Sequence, residues 1–250
     1  MTINGISLIG LFLVFARTAS WVMILPGFSG AQVPMQIRLY LAFSLTVAVV
    51  FIIDTPLDFG TQVQPHILLK LIGIEMLIGG VLAIPIRFLF MALSFLGELV
   101  TQLIGLNPIP GTPIGDTQPS TVLSSTLNIT ALTMMFASGM HMHFVFGMAN
   151  SFEAFPPGVG IDIALFTEDI VGNLNSFFST AIRLSAPFFI YAVIMNLVAG
   201  LINKLTPSIP VYFVSAPFII GGGLFFLIYI GDDILFLFHV ELVKLVNRIY

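Results

Sequence analysis

The sequence is short of charge. Asp, Glu, Lys and Arg make up 8% of its 250 residues, against about 25% in an average soluble domain. That is too little polar surface to cover a water-soluble particle of this length. Cysteine is absent, which excludes disulfides and thiolate metal sites. The eight Lys and Arg do not cluster, so nucleic acid has no electrostatic footprint to meet, and a net charge of −4 carries little information about partners. No GxSxG, HExxH, P-loop or Rossmann pattern occurs. No nucleophile stands beside a base visible in the sequence. The expectation is a protein that is not an enzyme and uses no cofactor or metal.

Apolar sequence fills the space instead: 58% of the residues are hydrophobic and 25 are Phe. A helix that crosses a bilayer needs about 20 mostly apolar residues, and six runs approach or exceed that. They are Gly5–Leu25, Ile37–Ile53, Pro65–Leu106, Thr121–Asn150, Asp169–Ile202 with an amphipathic start, and Val211–Val240. Pro26-Gly27, Asp54-Thr55-Pro56, Pro156-Pro157-Gly158 and the Thr206–Pro210 turn separate them. The runs are too long and continuous for barrel strands, which alternate. An all-α integral membrane protein in contact with lipid is expected, built from helical hairpins with broken and kinked helices. No shift of composition divides it, so residues 1–250 read as one unit. Pro85 and Gly79-Gly80 either kink the long third run or fold it into a hairpin. Ser120 is expected to cap the fourth run. The N-terminal Met1–Asn4 lacks the positive region of a secretory signal, and the first run is expected to be retained.

Orientation is weakly specified. Lys244 and Arg248 favour a cytoplasmic C-terminus. Six full spans would put both ends on one side, so either one run does not cross or a hairpin stops short.

Charges inside the runs need partners. Arg17 lies in the first, Lys70, Glu75, Arg87 and Glu98 in the third, and Arg183 in the fifth. Each costs about 2.5–3.5 kcal/mol at a helix centre. Arg17, Glu75, Arg87, Glu98 and Arg183 are therefore expected to face protein or a water-filled path, at contacts between subunits or along a channel. Arg87 and Glu98 are three turns apart and share a face without touching.

Other polar residues invite a site and support one poorly. His141 and His143 are two apart, so on a helix they point about 200° from each other and do not ligate one ion. Asp232-Asp233 suggests a proton relay, but its place beside Gly231, read as a helix end, favours solvated carboxylates. Glu75 is a better relay candidate by burial, and a structural ion pair is favoured over that. Gly221-Gly222-Gly223 reads as close helix packing rather than phosphate binding.

The segment Asn107–Pro119 is different in kind. Its four prolines and two glycines exclude helix and strand. It is either an exposed connector or non-helical backbone at membrane depth, which is tolerated only when buried in protein or lining a cavity.

Four groups of residues together resemble the FliR family of flagellar export-gate proteins, which is related to the T component of injectisomes. The first is Phe15-Ala16-Arg17, then Leu25-Pro26-Gly27-Phe28-Ser29 and Val33-Pro34-Met35-Gln36-Ile37-Arg38-Leu39. The second is Ile78-Gly79-Gly80-Val81, then Gly97-Glu98 and Gly105. The third is His141 with Asn150-Ser151-Phe152-Glu153-Ala154-Phe155-Pro156-Pro157-Gly158. The last is Pro187, Gly200 through Pro207, and Phe213 through Pro217. Each is weak alone; their order and spacing cover nearly the whole chain. Ser208 stands where the family often has Gln, Lys204 where it often has Arg, and the loop after Gly105 is unusually rich in proline.

The resemblance implies a FliP-like part, about residues 1–158, joined to a FliQ-like part, about 159–250. It implies a subunit that joins FliP and FliQ around a channel at the flagellar basal body in the bacterial inner membrane. FlhB and FlhA would be neighbours, and unfolded flagellar subunits the cargo. The loop Asn107, Pro108, Ile109, Pro110, Gly111, Thr112, Pro113, Ile114, Gly115, Asp116 would be the channel plug. An injectisome gate component is the alternative, and a secondary transporter a more distant one: broken helices suit it, but no inverted repeat is present.

Overall fold

The computed structural model describes residues 2–3, 6–30, 33–53, 64–106, 121–158, 163–208 and 210–249. After a two-residue ladder, β1 (Thr2–Ile3) with β2 (Ile6–Ser7), every regular element among them is a helix: α1 (Leu8–Ile24), α2 (Met35–Ile52), α3 (Pro65–Leu103), α4 (Val122–Ala137), α5 (Met140–Ala154), α6 (Ile163–Leu205) and α7 (Val211–Ile249). The chain is an all-α membrane protein. Among the described residues four helices are long and apolar enough to cross a bilayer, α2, α3, α6 and α7, and a fifth span is available if α4 and α5 count as one broken span.

Of the six runs, with one expected not to cross or a hairpin to stop short, the fourth is the broken pair α4 and α5, and α1 is the run that falls short. Its 17 residues fall just short of the usual spanning length. The third run is not a hairpin: α3 continues through Gly79, Gly80 and Pro85 for 39 residues. α6 and α7 likewise pass through Pro187 and Pro217, over 43 and 39 residues. At about 1.5 Å per residue these helices are roughly 58–65 Å long, twice the bilayer core of about 30 Å. Gly231 is not a helix end either. α7 runs on through exposed Asp232 and Asp233, because one glycine costs a helix only about 1 kcal/mol.

The ends that exist have local causes. The Ser7 side chain accepts from the Gly10 N–H at 3.1 Å and caps α1. Gly139 opens α5 at φ +73° and separates it from α4. Ser120 lies outside the described residues, and the Thr121 hydroxyl accepts from the Ser124 N–H at 3.2 Å, the bond of an N-cap. At the end of α3, Leu106 N–H donates to Thr101 O (2.9 Å) and Gly105 N–H to Gln102 O (3.2 Å), with Gly105 at φ +76°. This is the Schellman arrangement that stops a helix sharply.

Two compact units can be distinguished. One comprises residues up to Phe88, Met135–Asn175 and Leu242 onward; the other comprises Leu89–Met134 and Ser176–Glu241. In the first, Leu13, Val14, Trp21 and Val22 of α1, Ile78 of α3 and Phe152 of α5 are buried. A side chain at Gly79 would overlap the Arg17 carbonyl and the Ser20 hydroxyl, so the α1–α3 crossing is as close as backbones allow. In the second, Phe90 of α3 meets Phe238 of α7 edge-on at 5.2 Å, and Phe226 of α7 packs on Phe188 and Tyr191 of α6 at 5.5 and 5.7 Å. Tyr212, Phe213, Phe225, Ile228 and Tyr229 of α7 remain exposed on the single chain, as suits a helix that faces lipid or another protein.

Candidate functional site

The most heavily bonded polar group among the described residues is Arg17, in the middle of α1. Its side chain is fully buried, and Glu75 of α3 is 1% exposed beside it. Nε donates to Glu75 Oε2 at 2.7 Å, and Nη2 lies 2.7 Å from the same oxygen. Nη1 donates to the carbonyl and hydroxyl oxygens of Ser151 at 2.9 and 3.2 Å, and Nη2 to the Phe155 carbonyl at 2.8 Å. The Phe152 ring lies 4.0 Å below the guanidinium carbon, a cation–π contact. Every N–H of the guanidinium has an acceptor at hand.

The geometry follows from α5. The end of α5 carries partial negative charge, and two carbonyls face Arg17 there, that of Ser151, which also accepts from the Phe155 N–H at 2.9 Å, and that of Phe155 just past the helix. Arg17 supplies donors and a positive charge at that place. The turn Pro156-Pro157-Gly158, with Gly158 at φ +85°, then carries the Gly158 N–H to Glu75 Oε1 at 3.4 Å. The Ser151 hydroxyl donates its own hydrogen bond to the Met148 carbonyl at 2.6 Å. One ion pair thus joins α1, α3 and the end of α5. With both carboxylate oxygens and all guanidinium donors engaged, the site is built to hold these elements together.

Arg17 therefore finds its counter-ion within its own chain. Arg87, Glu98 and Arg183 are exposed on the single chain, and among the described residues none makes an ion pair. Lys70 is exposed as well. His141 leans on the Phe136 ring at 4.8 Å, and His143 is exposed. Among the described residues no three His, Cys, Asp or Glu side chains gather to hold a metal. The loop residues Asn107 through Asp116 lie outside the described residues.

Sequence reasoning identified Arg17 and Glu75 but not their pairing, nor Ser151, Phe152 and Phe155 as the rest of the site. A usable signal was present. Three of the four residue groups noted above, at Phe15–Arg17, Ile78–Val81 and Asn150–Gly158, come together at or beside this ion pair. A second feature, in the other unit, is a groove of about 470 Å³ between α6 and α7, walled by Met195, Val198, Ile202, Val211, Val214 and Phe218. It has an apolar shape and no titratable group.

A buried ion pair between α1 and α3, with further charges exposed along the apolar helices α3 and α6, belongs to a multi-pass membrane protein whose polar residues organise helices. The family of bacterial export proteins, family 1, matches residues 8–244. The flagellar biosynthetic protein FliR of Caulobacter vibrioides is 28% identical over 216 residues, covering 85% of this chain and 84% of that protein. FliR of Aquifex aeolicus is 30% identical over 222 residues, covering 88% and 84%, and FliR of Bacillus subtilis 25% identical over 232 residues, covering 89% and 87%. The chain belongs to this bacterial export family, the family of the flagellar biosynthetic proteins FliR, as a multi-pass protein of the inner membrane and a component of flagellar export.

Proposed function

We propose that the chain is a non-enzymatic subunit of the flagellar type III export gate. It joins FliP and FliQ around a channel at the basal body, with FlhB and FlhA nearby, and unfolded flagellar subunits pass through. The observation that carries this reading is the family match along residues 8–244. Two physical features agree with it. Helices of 39 and 43 residues are longer than a bilayer needs, as in an assembly that extends beyond the hydrocarbon. The exposed Arg87, Glu98 and Arg183 on apolar helices are costly against lipid and are accommodated at contacts with other subunits or along a wet channel. The two-part reading, residues 1–158 FliP-like and 159–250 FliQ-like, belongs to the same proposal.

Within this gate, residues 107–116 act as the plug. The segment closes the channel at rest and moves aside for cargo, while partner components and the proton-motive force supply the energy.

Co-purification tests the subunit role. Expressed with the FliP and FliQ proteins of its own bacterium, the chain should purify as a stoichiometric complex. Expressed alone it should aggregate or be degraded. A monodisperse, heat-stable monomer in mild detergent that binds a small solute would replace this reading with a transporter.

A further inference from the structure

Within the second unit α6 and α7 run antiparallel. Phe188 meets Phe226 at 5.5 Å, and the Tyr191 hydroxyl donates to the Ile219 carbonyl at 2.8 Å. Five residues earlier on α6 and five later on α7, this register sets Arg183 level with Gly231, beside Asp232 and Asp233. All three charged side chains are exposed. From that level to the far ends of the pair, residues 184–203 and 211–231 are 20 and 21 residues without a charge, and Lys204 is the single charge in the stretch 184–231. Twenty residues of helix rise about 30 Å, the thickness of the hydrocarbon core. Charges are costly inside that core. This half of the helix pair therefore fits a bilayer, with Arg183, Asp232 and Asp233 at one membrane face and Lys204 at the other.

The apolar groove of about 470 Å³ lies in this half. Its walls run from Met195 to Thr206 on α6 and from Val211 to Ile219 on α7, so its α6 side rises about 17 Å, roughly one leaflet of the core. Val198, Ile202, Val214 and Phe218 are exposed along it, over buried Ala199 and Val211. Its two hydroxyls donate within their own helices, Thr206 to the Ile202 carbonyl at 2.9 Å and Ser215 to the Tyr212 carbonyl at 3.2 Å. A buried water needs two to four polar partners, and the groove does not supply them. Helices that associate in membranes meet on small residues and shared polar groups, whereas only Ala199 and Ser215 among the lining residues are small.

We propose that the groove holds one acyl chain of an anionic membrane phospholipid, whose headgroup lies at the level of Lys204. An acyl chain needs no hydrogen bond and follows a wall of Met, Val, Ile and Phe. The groove's volume lies in the range of about 300–1,000 Å³ typical of small-ligand sites. Lys204, exposed in the last turn of α6, places a positive charge where the headgroups begin, which favours an anionic lipid. The site requires membrane insertion of these two helices and is independent of the gate reading.

Photo-crosslinking in native membranes tests it. Cells of the chain's own bacterium are fed a fatty acid carrying a diazirine, which enters their phospholipids. After irradiation the full chain is purified and its lipid adducts are mapped by mass spectrometry. Adducts should concentrate at Ile202 and Phe218 over Ile190 and Phe225, which are exposed elsewhere on the same helices, and should carry anionic headgroups. Ala199→Trp fills the floor and Val214→Trp fills the opposite wall. Each should cut the adducts at Ile202 and Phe218 about tenfold and leave those at Ile190 and Phe225 unchanged. Lys204→Gln should keep the adducts and shift their headgroups toward zwitterionic lipid. Adducts no more frequent at Ile202 and Phe218 than at Ile190 and Phe225 would overturn the proposal, and this comparison in the wild-type chain needs no variant to fold. Because the chain has no cysteine, Ile202→Cys supplies a single thiol, and its efficient crosslinking to another subunit would show that protein fills the groove and would overturn the proposal as well.

Discussion

Glu75→Gln should destabilise the protein by about 3–5 kcal/mol, the usual cost of removing one member of a buried ion pair. Arg17 has no solvent to turn to, since its side chain is fully buried. Gln has the size of Glu but no charge, so the guanidinium would keep its bonds to Ser151 and Phe155 and lose its counter-ion. Arg17→Met should do comparable damage from the other side. It leaves a buried carboxylate whose nearest remaining donor is the Gly158 N–H at 3.4 Å, and it removes the donors that cap α5. Arg17→Lys keeps the charge but not the planar fork that reaches Glu75, Ser151 and Phe155 together. The double variant Arg17→Met/Glu75→Leu removes both charges, and apolar replacement of a buried pair is often nearly neutral. It should be more stable than either single variant, short of wild type by the loss of the helix cap. Thermal unfolding of the purified complex, with protein abundance in the membrane, reads this directly. An unchanged melting temperature for Glu75→Gln would mean that the ion pair does not hold α1, α3 and α5 together.

Deleting Pro110 through Asp116 should leave assembly intact and make resting cells leak ions and small solutes. The chemistry of the segment motivates this. Four prolines between Asn107 and Pro119 lower the entropy lost when it is held in one shape. Gly111 and Gly115 allow turns and close approach to other backbones. Asp116 is its only charge, so its desolvation cost in a narrow channel is small. On the proposed plug reading, a channel wide enough for an unfolded chain is sealed by this segment when idle and opened by its displacement. Unchanged permeability in a correctly assembled deletion variant would return the segment to a plain connector.

Most helices were legible because their boundaries are written in strong breakers: Pro26-Gly27, the segment before Pro65, Pro156-Pro157-Gly158 and the Thr206–Pro210 turn. The misses came where breakers misled or were absent. α3 carries Pro85 without folding into a hairpin, because apolar sequence on both sides favours continued helix for backbone away from water; α6 and α7 pass Pro187 and Pro217 as the single runs expected. The interruption at Gly139 was invisible, since the apolar run continues across it and only a positive φ marks it. The site was half legible. The cost of Arg17 and Glu75 in apolar helices showed that each needs a partner, but 58 residues of separation hid that they are each other's. The carbonyls of Ser151 and Phe155 carry no signal in residue type at all, because they are backbone acceptors.

Secretion tests the export account most directly. In a strain deleted for this chain, flagellar hook and filament subunits should vanish from the culture medium while still being made inside the cell, and expression of the intact chain should restore them. Flagellar subunits exported at wild-type levels without the chain would contradict the account.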